Sequence, residues 1–417
     1  MFFLCGKFSF QIRDGEIMSK EITIVFDGLQ VGGVERVGID YIKIFKKLGY
    51  KVTVVNLRPK LNEMEKYIEN DVKIIHFNYP RWLAPERYAQ LIKENFWGKF
   101  LYPIADLSLI LANCFYKFFY RIRKINKANI SIAFSGHFND LTFVEKNFVK
   151  TDYKMCWLHG ALYSYLLISD GYLNLYRKIQ NLVVLVDDAQ EEVLAYNKGL
   201  DLRINKLYNP TFIAEKSIDS EHVAELKRKY GKFILMVSRF EYPHKDQYTV
   251  AKALEIVRNN YYEDMNLVFV GAGPDEEKVK EYVNNLGANA KKHIFFEGTR
   301  HDVQDYYKAA YLLVHASVAG EGLPTIMLEA MSYELPMVVT DSKTGPREIL
   351  GESEYGLLCR VQDAEDMAQK IKKLCTEHEL YREFIEKGRS RIKDFQPEVI
   401  EKQVNDILNN ILSSEKL

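Results

Sequence analysis

Short runs of apolar residues alternate along this chain with longer segments whose apolar positions recur every three or four residues. The short runs predict strands at ITIVF (22–26), KVTVVNL (51–57), VKIIHF (72–77), ISIAFS (130–135), KMCWLHG (154–160) and NLVVLV (181–186). After a break come KFILMVS (232–238), NLVFVG (266–271), HIFFEG (293–298), AYLLVHAS (310–317) and LPMVVT (335–340). Between them, VERVGIDYIKIFKKL (34–48) and DQYTVAKALEIVRNN (246–260) carry helical periodicity. Strand and helix in alternation predict an α/β chain whose parallel sheets are wound on both faces.

The break falls near LYNPTF (207–212), where Asn-Pro punctuates a loop before the polar helix SEHVAELKRKY (220–230). The expected division is an extension at 1–18, a Rossmann-like half at 19–210, a second at 211–390, and a C-terminal helical segment at 391–417 ending in PEVIEKQVNDILNNIL. Met18 offers an alternative start that would leave residues 1–17 outside the native chain. A length of 417 residues agrees with two domains, because a single core stops growing well before that size.

Composition narrows the function classes. Hydrophobic residues make up 47% and charged residues 27%, as in globular proteins. A formal net charge of zero excludes a nucleic-acid binder that works by overall charge. The charge is uneven, however. Between Arg81 and Lys127 stand nine basic residues (Arg81, Arg87, Lys93, Lys99, Lys117, Arg121, Arg123, Lys124, Lys127) against Glu86, Glu94 and Asp106. That segment also holds Trp82, Phe96, Trp97, Tyr102, Phe115, Phe118, Phe119 and Tyr120, and it is expected either to lie on an anionic membrane surface or to pack as a helix pair. Its longest apolar stretch, LSLILANCFYKFFY (107–120), is too short to span a bilayer and contains Lys117. The five cysteines, Cys5, Cys114, Cys156, Cys359 and Cys375, form no CxxC pair and are odd in number. This points to a reducing compartment and argues against a disulfide framework and a zinc site.

Four stretches carry candidate chemistry. Strand ITIVF runs into DGLQVGGVERV, where Gly32 and Gly33 precede a helix whose free amides suit an anion. GAGPDEE (271–277) holds Gly271 and Gly273 but lacks the third glycine of a dinucleotide fingerprint. SRFEYPHKDQ (238–247) places Arg239 and Lys245 at the carboxyl end of a strand, where ligands bind in open α/β sheets. VHASVAGEGLPTIMLEAMSYELPMVV (314–339) contains two carboxylates, Glu321 in a turn and Glu329 in the following helix, inside an apolar run. Carboxylates are rarely buried without a partner, so both are expected to have one.

Taken together, S-x-x-x-E-G-L-P…L-E-A-M…P-x-V-V resembles the signature of glycosyltransferase family four, a retaining group with the GT-B architecture of two Rossmann-like parallel-sheet domains facing across a cleft. GGVER, SRF…HKDQ, GAGP and TGPREIL (344–350) agree with the resemblance. It implies that Arg239 and Lys245 hold the donor diphosphate, that Glu329 binds the ribose and that Glu321 lies beside the donor sugar. Gly322, Leu323 and Pro324 would line the diphosphate and sugar, with Gly271 and Gly273 in the same donor site. The backbone around Glu297 and Gly298 would frame the base, and Gly32 and Gly33 would close over the phosphates. His159 of WLHG is expected near the sugar, with His137 of FSGHFND as its rival. Asp246 departs from the glycine that many members carry after the lysine.

The resemblance implies a nucleotide-sugar donor, with uridine the expected base, and transfer with retention to a glycan or lipid-linked acceptor in cell-surface polysaccharide synthesis. No Asp-x-Asp triplet occurs, so no metal or other cofactor is expected, and the two cations would offset the leaving charge. No nucleic-acid partner is expected. The expected location is cytoplasmic, peripheral to the inner face of the membrane. Two alternatives share the architecture: a nucleotide-sugar epimerase and a non-catalytic nucleotide-sugar-binding subunit.

Overall fold

The structure is a computed structural model that describes residues 20–89, 96–123, 127–196, 199, 201–210, 217–262 and 264–413. The extension at 1–18, Cys5, Lys93, Glu94, Lys124 and part of the 207–212 break lie outside the described residues. Seven parallel strands form the first sheet: β1 (Glu21–Phe26), β2 (Lys51–Asn56), β3 (Lys73–His76), β4 (Lys127–Ala133), β5 (Lys150–Leu158), β6 (Asn181–Val184) and β7 (Arg203–Lys206). Six form the second: β8 (Phe233–Val237), β9 (Asn266–Val270), β10 (Ile294–Phe296), β11 (Leu312–His315), β12 (Met337–Thr340) and β13 (Leu357–Cys359). Both sheets are buried on two faces. In β1, Ile22, Ile24, Val25 and Phe26 are each fully buried, and so are Leu312, Leu313 and Val314 in β11. Doubly covered strands read as apolar runs rather than alternations, which is why these were visible in the sequence. The two strands absent from the sequence reading, β7 and β13, are short edge strands, RINK and LLC.

Strand order decides where a ligand can sit. The first sheet runs β3-β2-β1-β4-β5-β6-β7 and the second β10-β9-β8-β11-β12-β13. Winding reverses between β1 and β4 in one sheet and between β8 and β11 in the other. A crevice opens at the carboxyl ends of the strands at such reversals. The loops after β1, β4, β8 and β11 hold Gly32, His137, Lys245 and Glu321 respectively.

Seven helices matter below: α1 (Gly33–Lys47), α2 (Gly98–Arg123), α3 (Phe138–Glu145), α4 (Gln247–Asn260), α5 (Thr325–Ser332), α6 (Gly345–Leu350) and α7 (Pro397–Ser413). Asp246 caps α4, accepting from the Thr249 amide at 3.1 Å and the Thr249 hydroxyl at 2.5 Å. The departure from glycine therefore builds a helix N-cap. Helix α7 turns back onto the first domain. Lys47 pairs with Glu401 at 2.6 Å, the Tyr153 hydroxyl donates to the Leu412 carbonyl, and Ile400, Val404, Leu408 and Ile411 are buried. Within the basic aromatic segment, residues 98–123 form one continuous helix.

Candidate functional site

On the β8–β11 side, three side chains converge. The Glu321 carboxylate accepts from Lys245 Nζ at 2.5 Å and from His315 Nε2 at 2.8 Å, and the Lys245 and His315 nitrogens lie 3.4 Å apart. Burial opposes ionisation of Glu321, but the charges of His315 and Lys245 and their hydrogen bonds outweigh it and pull the carboxyl down to about 2. Burial lowers the pKa of His315 against the pull of Glu321, and its Nε2 hydrogen-bonds that carboxylate. Its Nδ1 is buried without a hydrogen-bond partner. The sequence reading paired Lys245 with Arg239; the structure pairs it with Glu321 and adds His315, which ends the buried strand β11. Arg239 lies mostly exposed and pairs with Glu241 at 2.9 Å.

The turn carrying Glu321 is locked by backbone. The Glu321 amide donates to the Lys343 carbonyl at 2.7 Å, and its carbonyl accepts from the amides of Thr344 and Gly345. Gly322 has no room for a side chain, because a Cβ there would stand 1.7 Å from the His159 carbonyl oxygen. That contact crosses between the domains, so the loop after β11 touches the loop after β5. Leu323 is buried and Pro324 immediately precedes α5.

Glu329, one turn into α5, is shared between domains. Its Oε1 pairs with Arg36 of α1 at 2.9 Å and its Oε2 accepts from the Tyr307 hydroxyl at 3.0 Å. Arg36 belongs to the quoted GGVER stretch but had no assigned role in the sequence reading. Gly32 is the residue before α1, and a Cβ there would meet the Glu35 carboxylate at 2.3 Å; Gly33 is open. Burial raises the pKa of Glu35, against its own amide and the charges of His137 and Arg239. Gly271 and Gly273 serve close packing: a Cβ would lie 2.0 Å from the Ser238 carbonyl oxygen at the first and 2.3 Å from that of Phe240 at the second. Gly271 also has φ +136°, which disfavours any side chain. The Glu297 carboxylate is held on its own domain by Tyr230, Lys229 and Tyr306, and the Gly298 carbonyl accepts from the Gly271 amide at 2.7 Å.

The two histidine candidates differ. His159 Nε2 lies 2.5 Å from the Phe134 carbonyl oxygen, so it donates there. Burial brings its pKa down to about 4 despite that bond, which leaves the ring neutral. His137 stands just before α3, half-exposed, with Nδ1 3.2 Å from the buried Asp27 carboxylate. Asp27 also accepts from Arg58 Nε at 3.0 Å and Asn139 Nδ2 at 2.8 Å. Burial works against the charge on both residues, yet their mutual hydrogen bond holds Asp27 low and raises His137. Asp27 and Arg58 were missed in the sequence. Asp27 is the D of DGLQVGG, directly after β1, and position at a strand end was the available signal.

Among the described residues, one group has metal-ligand spacing: ligand atoms of His222, Asp302 and Asp305 lie within 4.8 Å of one another. Its acids are already engaged. Arg300 grips Asp302 at 3.0 and 2.7 Å, and Asp305 accepts from His222 and from the Asp219 amide.

Each of the two sheets thus has a reversal crevice, and the two domains are bridged by Arg36–Glu329 and by Gly322 against His159. Residues 217–391 match the family model for glycosyl transferases group 1. An uncharacterized glycosyltransferase of Haemophilus influenzae is 24% identical over 90% of this chain and 96% of its own length. A Campylobacter jejuni α-1,4-N-acetyl-D-galactosaminyltransferase, named for a diphospho-undecaprenol-linked substrate, is 25% identical over 46% of this chain and about half of its own length, 51%. Among solved structures, Anabaena Alr3699/HepE in complex with UDP and glucose superposes with a TM-score of 0.68 at 17% identity, covering 94% of this chain and all of that one. The likeness fixes the fold as GT-B.

Proposed function

We propose that this chain is a retaining glycosyltransferase that moves a sugar from a UDP-sugar to a glycan or lipid-linked acceptor in cell-surface polysaccharide synthesis. The observation that carries the reading is the Lys245–Glu321–His315 cluster at the β8–β11 reversal. It presents a fixed ammonium at the carboxyl ends of the strands, in the segment that matches the family model. A nucleotide sugar leaves as a diphosphate, and preorganised positive charge at a developing anion is usually a large catalytic contribution. Lys245 supplies that charge without reorganising, because Glu321 already holds it. Arg239, exposed beside it in the chain, adds a second cation once it leaves Glu241. Glu329 takes the ribose hydroxyls after releasing Arg36. Gly271, Gly273, Glu297 and Gly298 shape the base and phosphate walls with their backbone, and Gly32 and Gly33 cover the phosphates from the first domain. Gly322, Leu323 and Pro324 line the sugar side, opposite His159. His137, its pKa raised by the hydrogen bond to Asp27, is the rival for the place beside the sugar.

The transfer needs no metal on this reading. The protein works in the cytoplasm, peripheral to the inner face of the membrane. The relatives' names support a UDP donor and an undecaprenol-linked acceptor. Incubation with a panel of UDP-sugars, with and without chelator, tests it: release of UDP with transfer, unaffected by chelator, is expected. Interconversion of the donor sugar without acceptor would identify an epimerase instead. UDP binding without transfer or hydrolysis would identify a binding subunit.

A further inference from the structure

Helix α2 is built inside out. Its inward stripe is Tyr102, Asp106, Leu109, Asn113, Tyr116 and Tyr120, at helical spacing and mostly polar at the tip. Asn113 is buried and fully engaged: it donates to the Leu83 and Leu109 carbonyls and accepts from the Tyr79 hydroxyl. The opposite stripe is Phe100, Ile104, Leu107, Leu111, Phe115, Phe118 and Ile122, each about 60% exposed or more. Large side chains bury roughly 150–250 Å² each, so this stripe and the neighbouring Trp97 expose on the order of 1,000 Å² of apolar surface. Soluble monomers rarely expose more than a few hundred Å² in one patch.

The charges on the helix indicate what covers the stripe. Asp106 is its sole acid and faces inward, so the outward face carries no negative charge. Lys117 and Arg121 do not point to a partner. Lys117 Nζ donates to the Lys146 carbonyl at 2.8 Å, and the Arg121 guanidinium donates to the carbonyls of Asn147 and Phe148. Two of the nine basic residues that suggested an anionic surface thus dock the helix to its own domain, and the exposed apolar stripe remains to make contact. Among the described residues, no helix is long and apolar enough to cross a membrane. A long helix with one apolar face, exposed tryptophans at 82 and 97, and no outward acid has the character of an interfacial helix that lies in the headgroup region.

We infer that the outward face of α2 embeds in a lipid bilayer surface, by apolar insertion rather than by charge attraction. The inference deepens the proposed function and rests on it for the lipid-linked acceptor. The orientation fits that role. The C-terminal turns of α2 meet residues 146–148, which precede the amino end of β5, so its N-terminal turns lie toward the carboxyl ends of the strands. A helix of 26 residues is about 39 Å long. Laid flat in the interface, it would bring the mouth of the cleft beside the lipid headgroups.

Flotation of the full-length protein with neutral phosphatidylcholine vesicles tests the inference, with UDP-induced thermal stabilisation read on the same samples. Binding to neutral vesicles is expected, changing by less than about twofold between low and high salt, since screening acts on charge alone. Leu111→Asp with Phe115→Asp should weaken it by more than about tenfold, since each side chain would otherwise bury apolar area, and leave the UDP response intact. Failure to float would overturn the inference, as would binding confined to anionic vesicles and abolished by salt. A wild-type dimer that the double substitution converts to monomer would assign the face to a second copy and also overturn it. Loss of the UDP response in the wild type would instead count against the glycosyltransferase reading and leave the vesicle result to judge the helix.

Discussion

Replacing Glu321 by Gln removes one negative charge from between Lys245 and His315 and leaves the shape nearly unchanged. The carboxyl falls from a reference 4.5 to about 2 in the fold, which at 1.36 kcal/mol per pH unit corresponds to about 3 kcal/mol. The side chain is only 13% exposed, so solvent screening takes little from that figure. Because the folded pKa is depressed, this stability is fully present above the unfolded value and is lost as pH falls from about 5 towards 2. At pH 4, about 1 kcal/mol of it has already gone. In a unit of this size each kcal/mol shifts the melting temperature by about 2–4 °C. The variant should therefore melt roughly 6–12 °C below wild type at pH 7, and the gap should narrow measurably at pH 4. Lys245→Met in the same background should recover part of the loss, since removing one partner of a buried pair costs more than replacing both. Scanning calorimetry of the wild type and the two variants at pH 7, 5 and 4 measures this. A gap at pH 7 below 2 °C, or one equally large at pH 4, would refute the reasoning.

Lys245→Ala should lower transfer by about a hundred- to thousandfold with nucleoside binding retained, read by UDP release and by calorimetric titration with uridine; activity abolished by chelator and restored by manganese would contradict the metal-free mechanism. Arg36→Met should strengthen uridine binding by up to about fivefold, because the half-exposed ion pair it forms with Glu329 is worth at most about 1 kcal/mol, and Glu329→Gln should abolish the gain. Asp246→Ala should cost about 1–2 kcal/mol through the lost cap of α4, seen as a lower melting temperature with an unchanged UDP response.

Legibility in the sequence followed burial. Strands covered on both faces, such as β1 and β11, were continuous apolar runs, so their carboxyl ends located Lys245, Glu321 and Gly32 near a crevice. What stayed hidden depended on contacts distant in sequence. His315 reads as one more residue of a buried strand until the turn after β11 folds Glu321 back onto it. Arg36 and Glu329 are 293 residues apart, and nothing local to either announces a bridge between domains. Asp27 and Arg58 follow β1 and β2, and their meeting depends on those strands being neighbours. The glycines of GAGP were assigned to the donor site, and the structure adds that two loops pack too closely there for a Cβ.

Helix α2 marks a different limit. Its segment has two stripes at helical spacing, and periodicity alone does not say which one turns inward. Apolar preference would bury Phe100, Leu107, Leu111 and Phe118. The domain chooses the other stripe for reasons set elsewhere in the chain. Tyr120 fits edge-on among Phe77, Phe143 and Phe148, with ring centroids 5.0, 5.2 and 6.1 Å away. Asn113 satisfies the Leu83 carbonyl and the Tyr79 hydroxyl, which a leucine in its place would leave unpaired at a cost of about 1–3 kcal/mol each. Lys117 and Arg121 in turn satisfy carbonyls of the 146–148 turn. Turning the apolar stripe inward would forfeit all of these together. A helix that spends its polar side chains on the protein interior and leaves its apolar ones outside is the feature of the first domain on which the inferred bilayer contact rests.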